Sequence, residues 1–389
     1  MSLFKHKDKQ EKKNNSVEII QENQEECINL IEQGFLKGQF SENVTDISYN
    51  GYQFYGQDNE TGRFKINLNV SNQEVLEFVK KIANYMLQPF STKSPSLDVA
   101  FGNYRLNAIH PSFGRNNTIK VITFSLRKIT PKLKIKENDY VFAPEEVHRL
   151  LRYLMVSHQS ILISGQTGSG KTEFQKYLVS LMDNKDRIII IEDNYETHIK
   201  EIYPEMDITT WITKENDDEI GFLVKNALRN NPDWIIVAET RTLNAAYEMI
   251  SAVMSGHSAI TTIHSESAKY SLNRLSNLCK KGIDLDEKMF LSNVASHIKI
   301  GVHLEKKQDL ISRKIIRRIV EIVEYIPTNN GFETNVLFEI TKDENLKEKN
   351  VFRPISKNLR GIFIKNDLKV KELSKFYKQE KKNEKAKTK

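Results

Sequence analysis

The sequence predicts an α/β protein whose C-terminal part contains a mostly parallel sheet, preceded by an α+β N-terminal unit. Short apolar runs without polar alternation recur after residue 160, which is typical of strands buried on both faces. Helical patterns separate these runs, as in successive β–α–β units. Before residue 130, alternating apolar and polar residues with turn signals indicate antiparallel strands instead.

Length and composition limit the function classes. A chain of 389 residues has room for two or three domains. The sequence contains no run of 18 apolar residues, so no membrane-spanning helix is predicted. The charged N-terminus lacks the apolar stretch of a secretory signal. Cys27 and Cys279 are too far apart in sequence for a metal-ligand spacing, and so few cysteines suggest a reducing compartment.

The net charge of +7 is concentrated at the two ends of the chain. Residues 1–13 carry five Lys and two acids, and residues 378–389 carry six Lys and two acids, which together account for the whole excess. We therefore predict disordered basic tails at 1–16 and 378–389. Because the chain between them is neutral, direct nucleic-acid binding is not expected from charge, although the tails leave contact with nucleic acid or acidic lipid open.

Residues 17–129 are predicted to form the α+β N-terminal domain. An amphipathic helix is expected from Val17 to about Leu36, and alternating strands joined by hairpin turns in 43–70. Ser71 and Asn72 can cap a second helix, and further strands are expected at 97–100, 104–109 and 119–126.

Residues 130–143 are predicted to be a linker, and 144–377 the second domain. Pro144 with Glu145 and Glu146 is a typical helix start, because proline suits the first turn and acids suit the helix dipole. Apolar runs predict strands at 160–164, 188–191, 234–237 and 259–263. Further strands are expected at 296–303, 314–326 and 335–340.

The segment Gly165–Thr172 fits the phosphate-loop pattern G-x-x-x-x-G-K-[ST] and lies between a predicted strand and a predicted helix. In such a loop the backbone N–H groups and the helix N-terminus bind phosphates. Lys171 would reach the β- and γ-phosphates, and the Thr172 hydroxyl would bind Mg²⁺. The predicted phosphate-binding residues are Gly165, Gln166, Thr167, Gly168, Ser169, Gly170, Lys171 and Thr172.

Ionisable residues follow the other apolar strands, at the edge where α/β sheets bind ligands. Glu239 is placed to serve the metal or to activate water, and an acid among Glu192, Asp193 and Glu196 could polarise that water. His264 is placed to sense the γ-phosphate. For each of these residues a purely structural role stays open. Glu239 could be a buried partner of Arg241, the acids at 192–196 could form a solvated loop, and His264 could be a structural histidine.

Four blocks stand in order in the sequence: 165–172, 191–196, 228–241 and 255–264. They resemble the Walker A, Asp box, Walker B and His box of the secretion ATPases of type II and type IV secretion systems. The resemblance extends to Val44–Ile47 and Gly102–Ala108 and covers roughly residues 40 to 340.

This resemblance implies a homo-hexamer of two-domain subunits, with ATP and Mg²⁺ bound between the N-terminal domain and a RecA-like C-terminal domain. It implies that Glu196 and Glu239 flank the water and the metal and that His264 lies near the γ-phosphate. It further implies that Arg105 and Arg127 approach the nucleotide from the N-terminal domain.

The sequence departs from the family pattern in two places. Ala238 stands where Gly is usual, and Thr242 where many members have Asp. No tetracysteine zinc module is present, which disfavours the type II secretion branch. Residues 245–257 resemble the conjugation and type IV transfer branch or the tight-adherence pilus branch.

The predicted function is a cytoplasmic ATP hydrolase, peripheral at the membrane, that powers a secretion, conjugation or pilus machine together with membrane components. Two alternatives stay open. One is a nucleic-acid translocase with the same core, and the other is a nucleotide-binding assembly or regulatory subunit with little turnover.

Overall fold

A computed structural model describes residues 20–213, 219–279, 286–309 and 311–377. The predicted tails at 1–16 and 378–389 lie outside the described residues. The chain divides into two units. The first unit comprises the described residues up to Thr130 together with the segment Asp309–Ile315, and the second comprises Pro131–Gln308 and the described residues from Ile316 onward.

The first unit contains a six-stranded antiparallel sheet and two helices. Helix α1 covers residues 20–32. Helix α2, Asn72–Tyr85, begins in a capping box in which Ser71 and Glu74 exchange hydrogen bonds. The strands are β1 (Val44–Tyr49), β2 (Phe54–Asp58), β3 (Gly62–Ile66), β4 (Ser96–Phe101), β5 (Tyr104–Ile109) and β8 (Thr123–Lys128), in the order β3-β2-β1-β8-β5-β4. A hairpin of β6 (Arg115–Asn116) and β7 (Ile119–Lys120) stands apart from this sheet.

One strand expected in the first unit is divided in the structure. The apolar pattern of 119–126 suggests one continuous strand, but β7 ends at Lys120 and β8 begins at Thr123. The N–H of Val121 donates to the carbonyl of Gly114 instead of joining the sheet, and this bond closes the loop that carries the hairpin.

The second unit is built on a nine-stranded sheet. Its strands are β9 (Ile161–Gly165), β10 (Arg187–Glu192), β11 (Asp207–Ile212), β12 (Trp234–Val237), β13 (Ser258–Ile263), β14 (Ile300–Gln308), β15 (Ile315–Thr328), β16 (Gly331–Lys342) and β17 (Glu348–Phe352). They lie in the order β11-β10-β12-β13-β9-β14-β15-β16-β17. The pairs from β11 to β14 are parallel, and β15, β16 and β17 pair antiparallel, which confirms the predicted fold class.

Helices accompany this sheet, as apolar parallel strands require. They are α3 (Glu145–Val156), α4 (Lys171–Val179), α5 (Ile199–Ile202), α6 (Glu219–Ala227), α7 (Leu243–Met254), α8 (Ala268–Cys279), α9 (Glu287–His297) and α10 (Lys357–Lys365), with short 3₁₀ turns at Leu228–Asn230, Val370–Glu372 and Ser374–Phe376. No helix of the described ranges is both long enough and apolar enough to cross a membrane.

Two segments differ from the domain bounds expected from sequence. Residues 131–143, expected to be a linker, belong to the second unit, where Ile135 and Phe142 are buried in its core. Conversely, Asp309–Ile315 lies within the expected second domain but belongs to the first unit. There the N–H of Ile315 donates to the Glu60 carbonyl, and the Lys314 ammonium lies 3.6 Å from the Glu60 carboxylate.

Candidate nucleotide-binding site

The phosphate loop connects β9 to α4, as the sequence predicts. Strand β9 ends at Gly165, and α4 begins at Lys171 directly after Gly170. Gly165 has φ 151°, and a Cβ on it would lie 2.6 Å from the Leu304 carbonyl oxygen. Gly170, the residue before the helix, has φ 95°. Side-chain-bearing residues rarely adopt these angles, so both glycines are needed for the loop to reach the helix N-terminus.

Lys171 folds back onto its own loop. Its Nζ donates to the carbonyls of Gly165 at 2.9 Å and Gln166 at 3.3 Å. The Ser169 N–H donates to the same Gln166 carbonyl at 3.1 Å. Burial lowers the pKa of Lys171, while the nearby Glu239 carboxylate acts in the opposite direction. These donors converge where a phosphate oxygen could replace the carbonyls as acceptor.

Glu239 is the centre of a charged group at the same edge of the sheet. Its Oε2 accepts from the Arg241 guanidinium at 2.8 Å, and its Oε1 lies 3.0 Å from His264 Nε2. Arg241 also donates to Asp193 at 3.3 Å. The Glu239 side chain is 16% exposed, whereas the side chains of Arg241 and His264 are about half exposed, so solvent partly screens these interactions.

Backbone and threonine hydrogen bonds fix the position of Glu239. On one side of it, the Ala238 carbonyl accepts from the Thr262 hydroxyl at 2.7 Å. On the other, the Thr240 N–H donates to the Thr262 carbonyl at 2.9 Å, and the Thr240 and Thr261 hydroxyls are 2.7 Å apart. Since β12 and β13 are neighbouring parallel strands, these bonds hold the residues that follow both strands in register.

The third acidic position lies at the end of β10, the other neighbour of β12. Glu192, 1% exposed, accepts from the N–H and hydroxyl of Thr197, both at 3.1 Å. Burial raises the pKa of Glu192 to about 7, although the bonds from Thr197 oppose this rise. Glu196 is partly buried, and its N–H donates to the Asn194 carbonyl at 2.7 Å. The structure thus places Glu196 at the same edge of the sheet as Glu239.

Arg105 and Arg127 lie in the first unit, at directly opposite positions of β5 and β8. Arg105 pairs with Asp98 at 3.1 Å, and Arg127 pairs with Asp46 at 2.8 Å. Their expected contact with the nucleotide stays a prediction.

The predicted Mg²⁺ ligands have suitable chemistry. Mg²⁺ prefers oxygen ligands, and Thr172 supplies a hydroxyl and Glu239 a carboxylate. Oε1 of Glu239 is buried and, among the described residues, accepts no hydrogen bond of good geometry despite the nearby His264. This oxygen therefore has lone pairs left for a cation, and the residues fit the predicted metal.

Two further cationic residues, unexpected from sequence, contact the loop. Arg317 Nε donates to the Gly168 carbonyl at 2.9 Å. Lys306 Nζ lies 3.4 Å from the point where a Cβ on Gly168 would stand. No spacing in the sequence indicates these contacts, since both residues come more than 130 positions after the loop.

A phosphate loop at the head of α4, with acidic and histidine side chains after the neighbouring parallel strands, is the arrangement of the phosphate-loop class of nucleotide-binding proteins. Comparison with known proteins is more specific. The family model described as "Type II/IV secretion system protein" matches residues 107–321. The chain belongs to this family, which confirms the resemblance seen in the four sequence blocks.

Individual relatives agree with this family. The chain is 35% identical over 292 residues to an uncharacterized protein of Bacillus anthracis, a match that covers 72% of this chain and 65% of that protein. It is 28% identical over 251 residues to the type IV secretion system protein VirB11 of Bartonella henselae, covering 54% of this chain and 69% of the relative. The solved structure of the ATPase DotB from Legionella pneumophila has the same fold, with a TM-score of 0.53 at 20% identity over 72% of this chain and 77% of that one. The chain thus spans slightly less than two thirds of the Bacillus relative.

Proposed function

We propose that the chain hydrolyses ATP with Mg²⁺ and works as the motor of a type IV secretion, conjugation or related pilus machine. The observation that carries this proposal is the placement of Lys171 and Glu239. Both lie at the carboxyl edge of one parallel sheet, and the Glu239 carboxylate acts electrostatically on the Lys171 ammonium. Triphosphate hydrolysis requires a cation that binds the phosphates and, beside it, a carboxylate that binds the metal and positions the water.

Each residue of the site has a role in this proposal. The loop N–H groups and Lys171 bind the phosphates, and Thr172 and Glu239 hold Mg²⁺, which neutralises phosphate charge when bound. Glu239 also accepts the proton of the attacking water, since the hydrogen bond from Arg241 to its other carboxylate oxygen orients the group. Glu196 polarises that water, and His264 contacts the γ-phosphate.

Arg105 and Arg127 are proposed as further phosphate contacts, a role that rests on the family resemblance. Like charges at directly opposite positions of two strands destabilise a sheet. Here Asp98 and Asp46 each neutralise one guanidinium. A phosphate that bound both arginines would neutralise them further, so the pair is chemically suited to a triphosphate.

We also propose that the chain forms a homo-hexamer and acts with membrane components at the cytoplasmic face of the membrane. The VirB11 relatives are named as type IV secretion system proteins, which supports this class of partner. The conjugal transfer protein TrbB of Rhizobium radiobacter, 25% identical over 256 residues, supports the conjugation branch.

The test is release of phosphate from Mg-ATP by the full chain. The wild type should turn over, and Lys171→Ala should reduce turnover to background because the phosphates lose their main cation. Lys185→Ala is the matched control, since it removes a lysine that is exposed. Equal activity of Lys171→Ala and wild type would refute the site.

The same assay separates the alternatives. Strong stimulation by single-stranded DNA that falls steeply with salt would favour a nucleic-acid translocase. Tight ATP binding without turnover, even at concentrations where hexamers form, would favour an assembly or regulatory subunit.

A further inference from the structure

Strand β14 passes beside the phosphate loop. It pairs in parallel with β9 from Ile300 opposite Ile161 to Leu304 opposite Gly165, the first residue of the loop. Beyond that pair, β14 continues to Gln308. Since side chains alternate along a strand, Lys306 shares a face with Leu304, and Glu305 and Lys307 share the other face.

The two faces of this strand extension differ in how their charges are paired. Glu305 accepts from Arg318 at 2.9 Å, and Lys307 donates to Glu348 at 2.9 Å. Lys306 has no carboxylate partner and no hydrogen bond within the described ranges of the chain. The residue is partly buried, and its ammonium lies 3.4 Å from the Cβ position of Gly168. An ammonium beside the phosphate loop that has no carboxylate partner is available to pair with an anion bound there.

Arg317, at the start of β15, fixes the loop on the same side. Its Nε donates to the Gly168 carbonyl at 2.9 Å, and its Cδ lies 3.5 Å from the Cβ position of Gly170. In a trans peptide the C=O of one residue and the N–H of the next point in opposite directions. By holding the Gly168 carbonyl, Arg317 therefore sets the direction of the Ser169 N–H, one of the donors of the loop.

We propose that Lys306 is a second ammonium ligand of the nucleotide's phosphate chain and that Arg317 is a positioning residue that orients the loop for it. This inference rests on the proposed function, since it assigns further residues to the same triphosphate site. It brings β14 and β15, which carry none of the four sequence blocks, into nucleotide binding. A lysine-to-phosphate contact is charge-assisted and is among the stronger polar contacts of a site.

The test is calorimetric titration of the full chain with Mg-ATP and Mg-ADP. Lys306→Gln should weaken ATP binding roughly tenfold or more, because it removes a charge-assisted hydrogen bond. Lys307→Gln is the matched control, as it removes the same charge one position along the strand on the other face, and it should change ATP affinity less than about twofold. Lys306→Gln should also lessen the salt dependence of binding, which Lys307→Gln should not.

A double-mutant cycle with Arg317→Gln tests the positioning role. If Arg317 acts through the loop, Lys306→Gln should cost less affinity in the Arg317→Gln background than in the wild type. Simple additivity of the two effects would overturn the role of Arg317. Thermal unfolding midpoints like that of the wild type would show that both variants fold.

The outcomes distinguish this inference from the proposed function. Wild-type affinity in Lys306→Gln, with binding lost in Lys171→Ala, would overturn the role of Lys306 and leave the phosphate loop standing. Equal losses in Lys306→Gln and Lys307→Gln would also overturn it, since they would reflect general charge. A wild-type chain that binds neither nucleotide would overturn both proposals.

Discussion

Glu192→Gln should change the pH dependence of stability of the second unit. Burial raises the pKa of Glu192 to about 7 from an ordinary value of 4.5. The folded chain therefore holds this proton between about pH 4.5 and 7, where the unfolded chain releases it. The stability that Glu192 contributes is fully present below pH 4.5 and is lost as the pH rises through about 7.

The magnitude follows from the shift. About 2.5 pKa units at about 1.4 kcal/mol each give roughly 3 kcal/mol between pH 4.5 and pH 8. Gln has no such titration. The free energy of unfolding of Glu192→Gln, relative to that of the wild type, should therefore rise by about 3 kcal/mol over this range, whatever constant difference arises from the altered bonds to Thr197.

Urea unfolding followed by tryptophan fluorescence suits the measurement, because the two tryptophans lie on the strands that flank β10. Trp211 is on β11 and Trp234 on β12. Thr197→Val serves as a second variant. It removes a hydroxyl that stabilises the charged carboxylate, so it should raise the pKa of Glu192 further and extend the loss of stability to higher pH. Parallel pH curves for wild type and Glu192→Gln would refute titration of Glu192 near neutrality.

Three further outcomes are expected. Glu239→Gln should bind ATP but hydrolyse it at least ~100-fold more slowly in a phosphate-release assay, and unchanged kcat would exclude it as the base. Arg105→Ala should lower kcat by about 10³-fold if its guanidinium stabilises the transferred phosphate, whereas kcat at the wild-type level would remove it from the site. Gly165→Ala should lower both the thermal midpoint and ATP affinity, at a cost of about 1–3 kcal/mol, because the added methyl meets the Leu304 carbonyl. A normal midpoint would contradict that clash.

The buried parallel strands were predictable from sequence, whereas the edges of the sheet were not. Strand β12 has the bounds that its apolar run predicts, 234–237. Within the nine-stranded sheet, the sequence did not predict β11 and β17, which are its first and last strands. An edge strand pairs with a neighbour on one side only and is more exposed to solvent. The sequence of β17, Glu-Lys-Asn-Val-Phe, can therefore include charged residues without burying them. An apolar run therefore predicts a buried strand well and an exposed edge strand poorly.

The start of β14 shows a second limit. An apolar pattern from 296 predicts a strand, but α9 continues to His297 and β14 begins at Ile300. Ala295 and Ile298 are buried on either side of this change. Apolar residues are needed there by the helix and the strand alike, so hydrophobicity alone does not locate the boundary.

In the candidate site, likewise, some residues are predictable from the local sequence and others only from the pairing of distant strands. The phosphate loop is a continuous segment whose glycines and lysine have fixed spacing, so one stretch of sequence specifies it. The closeness of Glu239 and His264 follows from a general rule, since neighbouring parallel strands end at one edge. Lys306 and Arg317 reach the loop only because β14 pairs with β9 and β15 with β14. That pairing order is a property of the whole sheet. Contacts to a motif from strands far along the chain therefore have to be read from the structure.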